Sequence, residues 1–173
     1  DEPGIINDSV QFYGDDEHLI SPGTGPSFSA LDQMTVSAWI KPTGFASLGG
    51  NRMIMTQNDA WYFYLKYTSS GTILTWAING NYDIDSTTTF NEDTWYHVAF
   101  VRKGAELLLF INGKLDTKVA VPSTVVKSNQ DILLGAWTYS GDDKFVGYFD
   151  DVIINQGMAK YDSDFKLAGG LPA

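Results

Sequence analysis

The feature that most limits what this chain can fold into is a succession of short runs in which apolar and polar residues alternate, each closed by turn formers. Gln33 to Lys41 places Met34, Val36, Ala38 and Ile40 on one face before Pro42 stops the run. Met53–Thr56 and Trp61–Tyr67 are two more such runs, separated by Asn58-Asp59, and Thr72–Asn79 is a fourth, rich in β-branched and aromatic residues. Trp95 to Arg102 sets Trp95, His97, Ala99 and Val101 against Tyr96, Val98 and Phe100. Glu106–Ile111 and Lys114–Val119 flank Asn112-Gly113, the strongest short-range hairpin signal. Ile132–Gly135 and Phe145–Ile154 complete the set, and only Ala159–Phe165 offers a turn or two of helix. Ten or so short strands predict an all-β protein, a sandwich or a barrel. Leu107 to Ile111 is apolar on both faces, which predicts a central strand covered on both sides and favours a large sandwich.

Composition narrows the functional classes. A chain of 173 residues fits a single domain over 1–173, its core at about 9–165 and a tail at 166–173. A domain of this size buries roughly 70% of its unfolded surface, so its core needs no disulfide, and there is no cysteine to form one. The net charge of −10 rests on 17 Asp and only 4 Glu against 11 Lys and Arg. Asp favours turns and calcium loops over helices. Nucleic-acid binding through phosphates requires a basic face, so nucleic acid is excluded as a partner, and anionic lipid is disfavoured on the same ground. No apolar run approaches the ~18 residues of a membrane span, so no membrane insertion is expected. Thiolate zinc is excluded, and His18 and His97 are too few for a His-rich metal site. The start at Asp1-Glu2-Pro3-Gly4 reads as a piece of something longer.

Five of these segments together resemble one family. Val36-Ser37-Ala38-Trp39-Ile40-Lys41-Pro42, Trp95-Tyr96-His97-Val98-Ala99-Phe100-Val101-Arg102, Phe110-Ile111-Asn112-Gly113-Lys114, Ile132-Leu133-Leu134-Gly135 and Phe145–Val152 resemble, in order and spacing, the strands of laminin G-like, concanavalin A-like lectin/glucanase modules. The likeness runs from about Ser9 to the C-terminus and implies a jelly-roll β-sandwich of two antiparallel sheets. Asp151 to Phe165 is similar to an ending common in laminin G-like modules of tailed phages, departing from it at Ile153 and Lys160, where that pattern carries Arg. This likeness implies a place on a virion surface or another extracellular assembly, with other virion subunits among the partners.

The resemblance also implies a structural calcium ion (Ca2+) joining the chain ends, with side-chain oxygens from Asp15 or Asp16 and from Asp150. The competing reading makes Asp15 and Asp16 turn residues and Asp150 a cap on backbone amides. Gly141-Asp142-Asp143 reads as a solvated hairpin tip. Sugars are held by aromatic faces and planar polar groups. Trp61, Trp76, Tyr82, Trp137 and Tyr139 lie in or beside expected loops, while Asn58, Asp59, Asn79, Asn81, Asp83 and Asp85 supply polar groups. Trp39 and Trp95 read as core. The contact surface is expected on loops at about 45–60, 79–86 and 136–144, with Asn79 to Asp85 the most recognition-like. Catalysis finds little support: Glu2, Glu17, Glu92 and Glu106 form no paired-carboxylate run, and Asp83 and Asp85 would share one face only if they lay on a strand.

The sequence thus predicts a non-catalytic module recognising a glycan or a host cell surface. The alternatives are a structural capsid or tail decoration or a protein–protein interaction domain without a glycan ligand and, third, a glycoside-active enzyme.

Overall fold

A computed structural model describes residues 4–6, 8–14, 19–21, 32–44, 50–78, 82–121, 128, 130–138, 143–168 and 170. Twelve strands are described: β1 (Val10–Tyr13), β2 (Leu19–Ser21), β3 (Gln33–Pro42), β4 (Arg52–Gln57), β5 (Trp61–Thr68), β6 (Gly71–Ile78), β7 (Tyr82–Phe90), β8 (Tyr96–Lys103), β9 (Glu106–Ile111), β10 (Lys114–Ala120), β11 (Ile132–Leu134) and β12 (Val146–Gln156). They form two six-stranded antiparallel sheets. Sheet I has the order β1-β12-β3-β8-β9-β10, and sheet II the order β2-β11-β4-β5-β6-β7. This is the expected jelly-roll sandwich.

The core lies between the sheets because the side-chain period of a strand is two. Sheet I contributes Val36, Ala38 and Ile40 from β3, Val98 and Phe100 from β8, and Leu107 and Leu109 from β9. Sheet II contributes Trp61, Phe63 and Leu65 from β5, and Leu74 and Trp76 from β6. The Asn112-Gly113 turn has φ of 53° and 76°, as a two-residue primed hairpin requires.

β9 is covered on both sides, as its sequence predicts. Leu108 and Phe110 face away from the main core and join Ala99 and Val101 in a second cluster, closed over by Ala159, Tyr161 and Phe165. The covering element is the C-terminal segment 157–168, called the strap below. The turn or two of helix that Ala159–Phe165 could hold is not formed; no helix is found among the described residues. The sheet takes the strap's backbone hydrogen bonds instead. Thr35 Oγ1 donates to Met158 O and accepts from Lys160 N, both at 2.9 Å. Phe165 N donates to Gly113 O at 2.8 Å.

The main corrections to the sequence reading fall in sheet II. Of the expected loop at 79–86, residues 82–86 belong to the edge strand β7 (Tyr82–Phe90). Of the expected contact loop at 45–60, Arg52–Gln57 is strand β4, and residues 45–49 lie outside the described set. In sheet I, Trp95 precedes β8 and is only half-buried, its ring 6.5 Å from that of Tyr148, whereas Trp39 is buried as expected.

Candidate functional site

The outer face of sheet II carries the candidate site. Along β5, Trp61, Phe63 and Leu65 point inward, so Tyr62, Tyr64 and Lys66 point outward. The register extends these positions into rows. Tyr62 stands opposite Ala77 on β6, and Ala77 opposite Asp83 on β7. One step along, Tyr64 stands opposite Thr75, and Thr75 opposite Asp85. Ala77 has the smallest side chain in its row. It therefore floors a trough with Tyr62 on one bank and Asp83 on the other, about 10 Å apart, or two strand spacings. The Tyr62 bank is raised by Trp137, which follows β11. The Trp137 ring meets the Tyr62 ring edge-on at 5.9 Å while staying 39% exposed.

The opposite bank is acidic. Asp85 accepts a hydrogen bond from Thr75 Oγ1 at 2.6 Å and pairs with Lys66 at 3.5 Å. Burial pushes the Tyr64 hydroxyl up to about 12. Asp83 and Asp85 push it the same way, Asp143 adds to them, and a hydrogen bond with Thr75 works against all of these. Three carboxylates thus bear on one phenol and give this end of the face a negative potential. Desolvation lowers the pKa of the Arg52 guanidinium at the end of β4, and Asp143 opposes that shift. Asp143 O also accepts from Met53 N at 2.9 Å, which ties the segment after β11 to β4.

The structure sorts the sequence-predicted residues. Asp83, Asp85 and Trp137 come together on this face. Trp61 and Trp76 do not join them: they are 2% and 1% exposed, stack on each other at 4.8 Å, and belong to the core. The cause is the parity of β5 and β6, which turns both indoles inward with Phe63 and Leu74. Tyr82 pairs with Ile78 and alternates with Asp83, so it sits at the rim on the side of Ile84, away from the two aspartates. Tyr139, Asn79 and Asn81 lie outside the described residues. Asn58 and Asp59 form the β4–β5 turn, Asp59 with φ of 64°. Tyr62 and Tyr64 were missed. Their signal was the strict alternation of Trp61 to Lys66, which marks the second, fourth and sixth residues as outward.

Of the expected calcium set, Asp15 and Asp16 lie outside the described residues. Asp150 Oδ2 accepts from the amides of Ile5 and Ile6, and Oδ1 from that of Asp151, each at 2.7 Å. Both oxygens already face N–H donors, and a cation would have to approach beside them. The described part of the set fits amide binding better than cation binding. Through these amides it joins the N-terminal segment to β12. Among the described residues, no group of three or more His, Cys, Asp or Glu could hold a metal. No described helix is long and apolar enough to cross a membrane.

Comparison with known proteins agrees with this architecture. A family model described as the concanavalin A-like lectin/glucanases superfamily matches residues 14–158. No curated protein sequence matches the chain. Among solved structures, the chain resembles domain 4 of AbnA, a GH43 extracellular arabinanase from Geobacillus stearothermophilus solved in complex with arabinotriose. The TM-score is 0.67 at 21% identity, over 90% of this chain and 74% of that one. A heptameric SAP-like pentraxin from Limulus polyphemus matches with a TM-score of 0.65 at 19% identity, over 84% and 74% of the two chains. The CBM40 of a Ruminococcus gnavus IT-sialidase, bound to α2,3-sialyllactose, matches with a TM-score of 0.56 at 17% identity, over 81% and 91%. At these identities the likeness to solved structures bears on the fold.

Proposed function

The chain belongs to the concanavalin A-like lectin/glucanases superfamily, and from that premise we propose that it is a carbohydrate-recognition module whose contact surface is the outer face of sheet II. One observation carries the reading. An exposed indole, Trp137, is held edge-on by Tyr62 beside a trough floored by Ala77 and banked by Asp83. An aromatic bank offers apolar area to the C–H face of a sugar, and carboxylates across the trough accept from its hydroxyls. Asp83, Asp85 and Asp143 all bear on Tyr64, which favours a neutral glycan over an acidic one beside that phenol. Neighbours of the same fold, one solved with arabinotriose and another with sialyllactose, support carbohydrate recognition as such rather than the charge of the ligand.

The role is binding without catalysis: Asp85 is engaged by Thr75 and Lys66, and His97 lies on the outer face of the other sheet. Assay on pooled polysaccharides tests this point, and turnover that is lost in Asp83→Asn and Asp85→Asn would overturn it. A setting on a virion or another extracellular assembly is supported by the likeness of Asp151–Phe165 to phage-associated modules. The test of the whole reading is a glycan array carrying neutral and sialylated ligands. Retention of neutral glycans by the wild type and loss in Trp137→Ala support it. No binding by folded protein contradicts it.

A second reading, contact with a protein partner, draws on the edge strands. Val10 and Tyr13 on β1, and Leu19 and Ile20 on β2, are about half exposed or more at the edges of sheets I and II. Sedimentation tests it: self-association abolished by Tyr13→Lys supports this reading, and a monomer at all concentrations opposes self-association.

A further inference from the structure

The strap does not seal the outer face of sheet I completely. Between the strap and the sheet lies a cavity of about 230 Å³, lined by Ser37, Trp39, His97, Asp151, Lys160 and Phe165 among others. A water's share of liquid volume is about 30 Å³, so the space equals roughly seven or eight waters, more than the ~150 Å³ cavity that admits benzene. In its wall Ser37, with a small side chain, stands opposite Ile153 on β12. The trough on sheet II is on the opposite side of the sandwich, so the two features are separate.

Its polar groups are unlike those of the sheet II face. The His97 ring forms part of the wall, is 6% exposed, and packs edge-on between Trp39 at 5.4 Å and Phe165 at 5.7 Å. Its Nδ1 is buried with no hydrogen-bond partner among the described residues. A buried polar atom left in this state is costly and calls for an explanation. Burial, and secondarily the charge of Lys160, lower the pKa of the imidazole to about 4, so it is neutral at neutral pH. A neutral imidazole has one donor and one acceptor nitrogen, and a hydroxyl in the cavity can pair with whichever nitrogen borders it, because a hydroxyl both donates and accepts. The lining also holds two ammonium-bearing residues, Lys160 and Lys166, against one carboxylate, Asp151. Lys160 Nζ lies 5.2 Å from the centroid of the Tyr161 ring. The charge balance of the lining is therefore positive in a protein of net charge −10.

We propose that the cavity between sheet I and the C-terminal strap binds a small hydroxylated monocarboxylate of the sugar-acid class, its carboxylate held by Lys160 and Lys166 and a hydroxyl directed at His97. Asp151 and Ser37 take further hydroxyls, and Trp39 and Phe165 supply the apolar wall. This site is independent of the neutral-glycan face and selects an anion.

The test is a titration of the 15N-labelled protein with D-glucuronate, and in parallel with D-glucose, followed by the imidazole 15N and backbone amide signals. Saturable shifts at His97 and along the strap with glucuronate, in the millimolar range and at least tenfold weaker with glucose, support the site. Lys160→Met, an exposed change that leaves the sheets intact, should weaken glucuronate binding about fivefold or more. The proposal is overturned by any of four results: no saturable shift; equal response to glucose; unchanged affinity in Lys160→Met; or shifts confined to residues around Tyr62 and Trp137. The last would move acid binding to the other face.

Discussion

The outer faces of the two sheets start from the same alternation and end in opposite states. On sheet I the outward residues of β8 and β9 are Ala99, Val101, Leu108 and Phe110, and the strap covers them. On sheet II the outward residues of β5 to β7 are Tyr62, Tyr64, Lys66, Thr75, Asp83 and Asp85. Apolar outward residues call for a cover, and amphipathic ones can remain at a wet surface. The strap covers one face and leaves the other exposed.

Substitutions can break that contrast. The largest effect is expected on the covered face, where Phe110→Ala removes a fully buried ring from under Tyr161 and Phe165. It should cost about 3–5 kcal/mol in urea unfolding, while Tyr62→Ala on the open face costs about 1 kcal/mol or less. Equal losses would remove the distinction. Next comes the pH response of the covered face. His97 is held at about 4 against 6.5 in the unfolded chain, so between those values the unfolded state binds more protons. Stability therefore falls as pH drops from 6.5 toward 4, by up to about 3 kcal/mol. His97→Gln should flatten that part of the pH profile of the urea midpoint, and an unchanged slope would refute the assignment.

Asp150→Ala, which strands three amides at the seam between the N-terminal segment and β12, should cost about 2 kcal/mol. Chelator should leave the wild-type melting temperature unchanged if amides alone hold that seam. A drop of several degrees would restore a structural calcium ion there. The smallest effect belongs to the open face. The Lys66–Asp85 pair is well exposed on both partners, and Lys66→Met should change stability by less than about 1 kcal/mol.

The covered face was the more legible of the two in sequence. Leu107 to Ile111 announces two buried sides, and both were found. Asn112-Gly113 announces the hairpin, and the same turn also receives the strap through Gly113 O. The strap itself was read as offering at most a turn or two of helix at Ala159–Phe165, and it forms none. Only tertiary partners such as Thr35 and Gly113 show that its hydrogen bonds leave the segment. The open face was harder to read for a physical reason. An edge strand with one wet side carries half the apolar signal, so β7, with Asp83, Asp85 and three threonines, looks like a loop. The lost strand misled the site: without it, Asp83 and Asp85 had no face to share. Parity in β5 was enough to assign Trp61 to the core and Tyr62 to the surface, whereas Trp137, singled out by its place after the β11 glycine, is exposed beside Tyr62.

The central claim is that the open face of sheet II is the glycan-contact surface, and binding by paired variants tests it most directly. A neutral oligosaccharide found on the array should bind Trp137→Ala and Tyr62→Ala at least tenfold more weakly than wild type, about 1.4 kcal/mol, with Trp137→Ala still melting at the wild-type temperature. Undiminished affinity in both variants, or loss only in variants under the strap, would contradict the account.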